Sequence, residues 1–167
     1  DPAGDLAFLE RLAVWAQRWG PWTALDPPDG LLVDISAVAH LFGGEEPLLA
    51  EAQTRFAAQG LTGRAAIAPT AGAAWALAHY GNGSPILPSA SSLSTSREEE
   101  LPKALAVLPV AALRLDGEAV LILRRLGLKR IGDLAGVERD ALKRRFRHRS
   151  PSANPLLRLD QLLGRVQ

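Results

Sequence analysis

The sequence predicts an α+β chain, with an α/β domain over residues 1–87, a linker over 88–103 and a small helical domain over 104–167. Three observations lead to this. Helix-like and strand-like apolar patterns alternate up to residue 80. A stretch with six serines, two glycines and two prolines follows at 81–100. After it come short helical patterns with hardly any β-branched runs, so layered α/β structure gives way to helices alone.

Taken in order, "DLAFLERLAVWAQRWG" sets Leu6, Leu9, Leu12, Ala13, Ala16 and Trp19 at three- and four-residue steps, one apolar stripe of a helix that Gly20-Pro21 stops. "LLVDIS", residues 31–36, is too short for a helix and is bounded by Pro-Pro-Asp-Gly, which fits a buried strand. "EEPLLAEAQTRFAAQG" reads as a helix, with two glutamates at the positive end of its dipole and Gly60 past its other end. "LTGRAAIAP" fits a second strand, and "TAGAAWALAHYG" a short helix capped by Thr70 and closed at Gly81. Beyond the linker, "ALAVLPV" offers one more strand. "GEAVLILRRLG", "IGDLAG", "ERDALKRRFRHR" and "PLLRLDQLLGR" then form the helical domain.

With 167 residues, 47% of them apolar, the chain can bury a substantial core. No apolar run reaches the ~18 residues a membrane-spanning helix needs, and no basic start leads into an apolar segment, so a soluble, intracellular protein is expected. The absence of cysteine excludes disulfides and thiolate metal sites. His40, His79 and His148 lie tens of residues apart and read as incidental, so no cofactor and no metal is expected. The chain lacks methionine and opens at Asp1-Pro2, which suggests a piece of something longer.

The net charge of +1 hides a segregation. Residues 1–100 carry 5 basic against 12 acidic side chains, a net of −7, and residues 101–167 carry 14 against 6, a net of +8. A split of this kind points to a polyanion such as nucleic acid at the basic half, because neutralising phosphates supplies most non-specific affinity. A solvated helical surface, or pairing with the acidic half, would give the same count.

Four segments now stand in a distinctive order: "PPDGLLVDISAVAHLFGG", "GRAAIAPTAGAAWALA", "LPVAAL" and "RRLGLKRIGDLAGVERDALKRRF". Together they resemble the palm and thumb of Y-family translesion DNA polymerases. Closest is the divergent, catalytically degenerate bacterial ImuB family, in which "AHLFGGE" and "APTxxAAWxLA" are typical wording. The resemblance runs from about residue 5 to 165. It implies a partial ferredoxin-like palm over 1–87, lacking its first strand and the fingers, and a thumb of helix-hairpin-helix character over 104–167.

What the resemblance implies for catalysis is loss. Two-metal phosphoryl transfer needs several carboxylates converging on ions roughly 3.5–4 Å apart. The family's Ser-x-Asp-Glu motif falls on Pro27 to Gly30, so Asp29 survives as a vestige while Gly30 stands where the Glu would be. Asp34 cannot substitute, because side chains five apart in an extended segment face opposite ways. The family's first-strand Asp would lie upstream of Asp1. Where the family has two lysines for triphosphate and template, this chain has Ala71 and Trp75. Trp75 could stack a base, although a tryptophan in "AAWALA" more often packs in a core.

In the thumb, the Gly-Ile-Gly turn that grips phosphate through backbone N–H groups falls on Arg114, Leu115 and Asp116, and Asp116 would repel a phosphate. The second turn is kept. The expected DNA contacts are therefore Arg124, Arg125, Gly127, Lys129, Arg130 and Gly132 around it, with Lys143, Arg144, Arg145, Arg147 and Arg149 along and beyond the next helix, all positioning charges without base readout.

The leading expectation is a non-catalytic homologue acting as an adapter in damage-induced (SOS-type) mutagenic translesion synthesis, cytoplasmic and nucleoid-associated in a bacterium. The resemblance implies primed or damaged DNA, the sliding clamp, an ImuA recombinase-like protein and an error-prone DnaE-type polymerase as partners. The family's clamp- and partner-binding segments would lie largely beyond Gln167, so no residue here is assigned to them. Two other readings stay open: an active Y-family polymerase in a longer parent, and a protein-interaction module without DNA binding.

Overall fold

The stripe from Leu9 to Trp19 folds as expected: α1 spans Pro2–Ala16, and a 3-10 turn carries the chain to Trp19. Leu9, Ala13, Ala16 and Trp19 are buried, whereas Leu6 stays largely exposed. The computed structural model describes residues 2–88 and 101–166, so most of the expected linker, residues 89–100, lies outside the described residues. The chain divides into two packed units, Asp1–Gly63 and Arg64–Gln167. Among the described residues the architecture is α+β, mostly helical, with one sheet of two strands.

In the first unit, β1 (Trp22–Asp26) pairs antiparallel with β2 (Gly30–Asp34) in the register Trp22 to Asp34 through Asp26 to Gly30, around a loop at 27–29 that holds a cis Pro27-Pro28 bond. Gly20 enters this hairpin where no side chain fits: a Cβ there would sit 2.2 Å from the Asp34 carbonyl oxygen. Helix α2 (Glu45–Ala58) buries Leu48, Leu49 and Ala52. It ends as expected at Gly60, whose φ of 71° is the left-handed conformation glycine adopts without cost. Its aromatic partner is α1: the Trp15 and Trp19 rings lie 5.3 Å and 5.5 Å from the Phe56 ring.

In the second unit, α3 (Ala71–Tyr80) starts at Thr70, whose hydroxyl accepts from the Ala73 N–H and donates to the Leu162 carbonyl. One residue thus caps one helix and ties it to the end of another. There follow α4 (Lys103–Ala106), a 3-10 turn at Val110–Leu113, α5 (Gly117–Arg125), α6 (Ile131–Ala135), α7 (Arg139–Phe146) and α8 (Pro155–Leu162). Their inward faces form one core that includes Ala76, Leu105, Val110, Leu123, Ile131, Leu134, Phe146 and Leu159.

The strand expectations need correction. The strand read over 31–36 stops at Asp34, because the Asp34 carboxylate accepts from both the Ser36 N–H and hydroxyl and turns the chain. The one read over 61–69 is reduced to a parallel bridge between Ile67 and Ile86. Gly63 and the small side chains of Ala65, Ala66 and Ala68 give an extended segment little to pack, and Pro69 cannot donate to a ladder. The one read over 104–110 is instead α4, started by the Pro102 carbonyl accepting from Leu105 and Ala106, followed by an antiparallel bridge from Pro109 to Arg130. Alanine-rich "KALA" prefers the helix. The strand Trp22–Asp26 was not anticipated.

Candidate nucleic-acid interface

The turn from α5 into α6 is built by four devices. Leu123 is fully buried and anchors α5, whose last turn carries Arg124 and Arg125, where cations suit the negative end of the helix dipole. Gly127, at φ 81°, closes the helix: its N–H donates to the Arg124 carbonyl and the Leu128 N–H to the Leu123 carbonyl. The following residues are then pinned to the 108–110 segment, with the Val110 N–H donating to the Lys129 carbonyl and the Ile131 N–H to the Leu108 carbonyl. Gly132 lets α6 approach α4, since a Cβ there would come within 3.1 Å of the Ala106 carbonyl oxygen.

Between these strands of chain lies an open depression of about 480 Å³, lined by Val107, Pro109, Arg124, Lys129 and Arg130. The structure therefore brings Arg124, Lys129 and Arg130 together on one hollow. Sequence reading missed Val107 and Pro109, which no charge or motif marks. It also missed Asp133, whose Oδ2 accepts from the N–H groups of both Lys129 and Arg130. An acid three residues into a helix was the available signal.

The second basic group belongs to α7 and the residues after it. Lys143, Arg144, Arg145, Arg147 and Arg149 are exposed. Lys143 pairs with Asp140 at 3.7 Å, Arg147 Nε donates to His148 Nε2, and Arg149 pairs with Glu118 at 2.9 Å. Glu118 sits in the first turn of α5, so Arg149 marks one end of that helix while Arg124 and Arg125 mark the other. Six residues separate Glu118 from Arg124, roughly 9 Å of helix axis at 1.5 Å per residue. Among the described residues no carboxylate pairs with Arg124, Arg125, Lys129, Arg130, Arg144 or Arg145.

At the first turn, Arg114 takes a left-handed backbone conformation (φ 56°), and the Asp116 carboxylate caps α5 by accepting from the Ala119 N–H at 2.8 Å. An internal carboxylate thus occupies the end of α5 that a phosphate would approach. The Arg114 guanidinium lies 4.8 Å from the Trp75 ring centre, and the His79 ring stacks on Trp75 at 4.0 Å. The half-buried indole is thus engaged by polar side chains of its own unit and is not a member of the buried core.

Asp29 is exposed in the hairpin loop. Gly30 begins β2, and a Cβ there would fall 2.9 Å from the Asp26 carbonyl oxygen, so a glutamate at this position has no room in the hairpin as folded. Among the described residues no three histidine or acidic side chains converge so as to hold a metal ion, and no helix is long and apolar enough to cross a membrane.

The chain resembles the Y-family-like polymerase homologues. More particularly, the chain is homologous to Protein ImuB: it is 45% identical over 164 residues to Protein ImuB of Caulobacter vibrioides strain NA1000 / CB15N, and equally to that of strain ATCC 19089 / CIP 103742 / CB 15. The match covers 98% of this chain and 33% of each relative, so the chain spans about a third of the length of the curated relatives it matches. No family model matches the chain, and no solved structure matches it.

Proposed function

We propose that this chain is the DNA-contacting part of a non-catalytic Y-family polymerase homologue that serves as an adapter in damage-induced mutagenic translesion synthesis. The observation that carries this reading is the coincidence of similarity to Protein ImuB with cations gathered at the turn from α5 into α6 that, among the described residues, pair with no carboxylate. Residues 1–87 are a palm-derived platform, 104–167 a thumb of helix-hairpin-helix ancestry, and 88–103 the linker between these evolutionary modules. Contact with DNA is through side-chain charge on phosphates, without base readout. The non-catalytic reading is supported by Gly30, which leaves no space for a glutamate beside Asp29 in the hairpin as folded. The sliding clamp, an ImuA recombinase-like protein and a DnaE-type polymerase are the partners such an adapter would bring together, in the cytoplasm at the nucleoid. The test is a fluorescence anisotropy titration of the chain against primed duplex DNA at two salt concentrations. Binding that weakens steeply with salt supports the reading; no binding even at low salt overturns it.

A further inference from the structure

From Gly127 to Ile131 the amides of the α5-to-α6 turn are each engaged. The N–H of Gly127 donates to Arg124, that of Leu128 to Leu123, those of Lys129 and Arg130 to the Asp133 carboxylate, and that of Ile131 to Leu108. A phosphate gripped by backbone N–H groups, the usual way of a tight turn before a helix, therefore has no donors to meet between residues 127 and 131. The side chains are in the opposite condition. Arg124, Lys129 and Arg130 line one hollow and, among the described residues, pair with no carboxylate.

Helix electrostatics explain Arg124 but not the other two. Lys129 and Arg130 precede the first turn of α6, the positive end of a helix, where a cation is unfavourable by some tenths of a kcal/mol up to about 1 kcal/mol. Asp133 offsets that cost locally by accepting from their amides, and both residues remain exposed. The remaining lining is apolar and open: Pro109, and Val107 with 59% of its surface exposed. Three cations beside an apolar wall match an anion carried on an apolar frame, as a phosphate is carried on a sugar.

We propose that this hollow is a phosphodiester site, in which the side chains of Arg124, Lys129 and Arg130 share one phosphate of a nucleic-acid strand and the adjoining sugar lies against Val107 and Pro109. The proposal rests on the DNA-contact reading above and adds to it the place, the stoichiometry and the use of side chains in place of amides.

The salt dependence of binding counts phosphates, since each neutralised phosphate contributes roughly 0.9 to the slope of log K against log salt on duplex DNA. The experiment compares the chain with its Arg124→Gln/Lys129→Gln/Arg130→Gln variant, and separately with Val107→Glu, on a labelled primed duplex across a salt series, with circular dichroism as the folding control for these exposed positions. One shared phosphate predicts that the triple variant binds roughly fivefold or more weakly at low salt and that its slope falls by about one. Val107→Glu, which sets a carboxylate in the hollow, is expected to weaken binding as well. A slope that falls by nearly three would mean three separate phosphates and overturn the shared site. If the triple variant binds as the parent does, the site is wrong while DNA contact stands; if the parent itself fails to bind at low salt, the functional reading falls and takes the site with it. Inorganic phosphate, titrated alone at matched ionic strength and followed by amide chemical shifts, distinguishes the source. Shifts at Val107, Lys129 and Arg130 equal to those with DNA would make this a free-anion site and overturn the nucleic-acid assignment.

Discussion

Around α1 and α2 the first unit gathers Trp15, Trp19 and Phe56, with the Arg18 guanidinium 4.4 Å from the Trp15 ring centre and the Trp19 indole N–H donating to Glu51, which also pairs with Arg55. The second unit closes instead over aliphatic side chains from six helices, with Phe146 as the aromatic member of its core. Their charges differ as sharply. Residues 1–63 carry 3 basic and 9 acidic side chains, a net of −6, and residues 64–167 carry 16 and 9, a net of +7. The more instructive difference is how charge is used. Five of the six carboxylates after residue 100 are engaged within the second unit: Asp116 and Asp133 on backbone amides, Glu118, Asp140 and Asp160 on cations. Acids are consumed by the fold, and the cations left over are what a phosphate strand can use.

Four outcomes sharpen this contrast. The largest effect should come from the aliphatic unit: Leu123→Ala removes a fully buried side chain beneath the basic turn and should cost about 2–5 kcal/mol in denaturant unfolding, with DNA affinity falling in step. Gly20→Ala tests the first unit, where the new methyl meets the Asp34 carbonyl. A loss of about 1–3 kcal/mol is expected by tryptophan fluorescence, which reports mainly this unit because Trp15, Trp19 and Trp22 lie in it. Asp133→Ala leaves two amides of the turn uncapped and should cost about 1 kcal/mol by thermal unfolding, while raising affinity for DNA by removing a negative charge from beside the hollow.

The smallest effect is a pH dependence. Glu51 is held below its ordinary value of 4.5, first by the hydrogen bond from Arg55 and also by that from Trp19, against the opposing effect of burial. A carboxyl whose value is lowered by folding stabilises the folded state above its unfolded value and loses that contribution as pH falls through the folded one. Tryptophan fluorescence should therefore report a weakening of the first unit below about pH 4.5 that Glu51→Gln abolishes.

Much of the fold was legible because its signals are local. Apolar spacing marks α1, first-turn glutamates and Gly60 mark α2, and Thr70 and Gly81 mark α3, whose ends the structure places where expected. The strands were less so, since pairing is a property of two segments. "WTALD" finds its partner only across the Pro-Pro loop, while "LTGRAAIAP" has strand-like wording and pairs at a single residue. At the site, the cations could be read from charge alone. Val107, Pro109 and the double acceptance by Asp133 could not, because each depends on the 108–110 segment being laid against 129–131.

The central claim is that the basic unit, and not the acidic one, meets DNA. Backbone hydrogen exchange of the chain with and without saturating primed duplex at low salt tests it most directly. Protection confined to residues 107–110, 124–130 and 143–149 is the expected result. Protection concentrated instead on the β1–β2 hairpin, residues 22–34, with the basic turn unchanged, would contradict it.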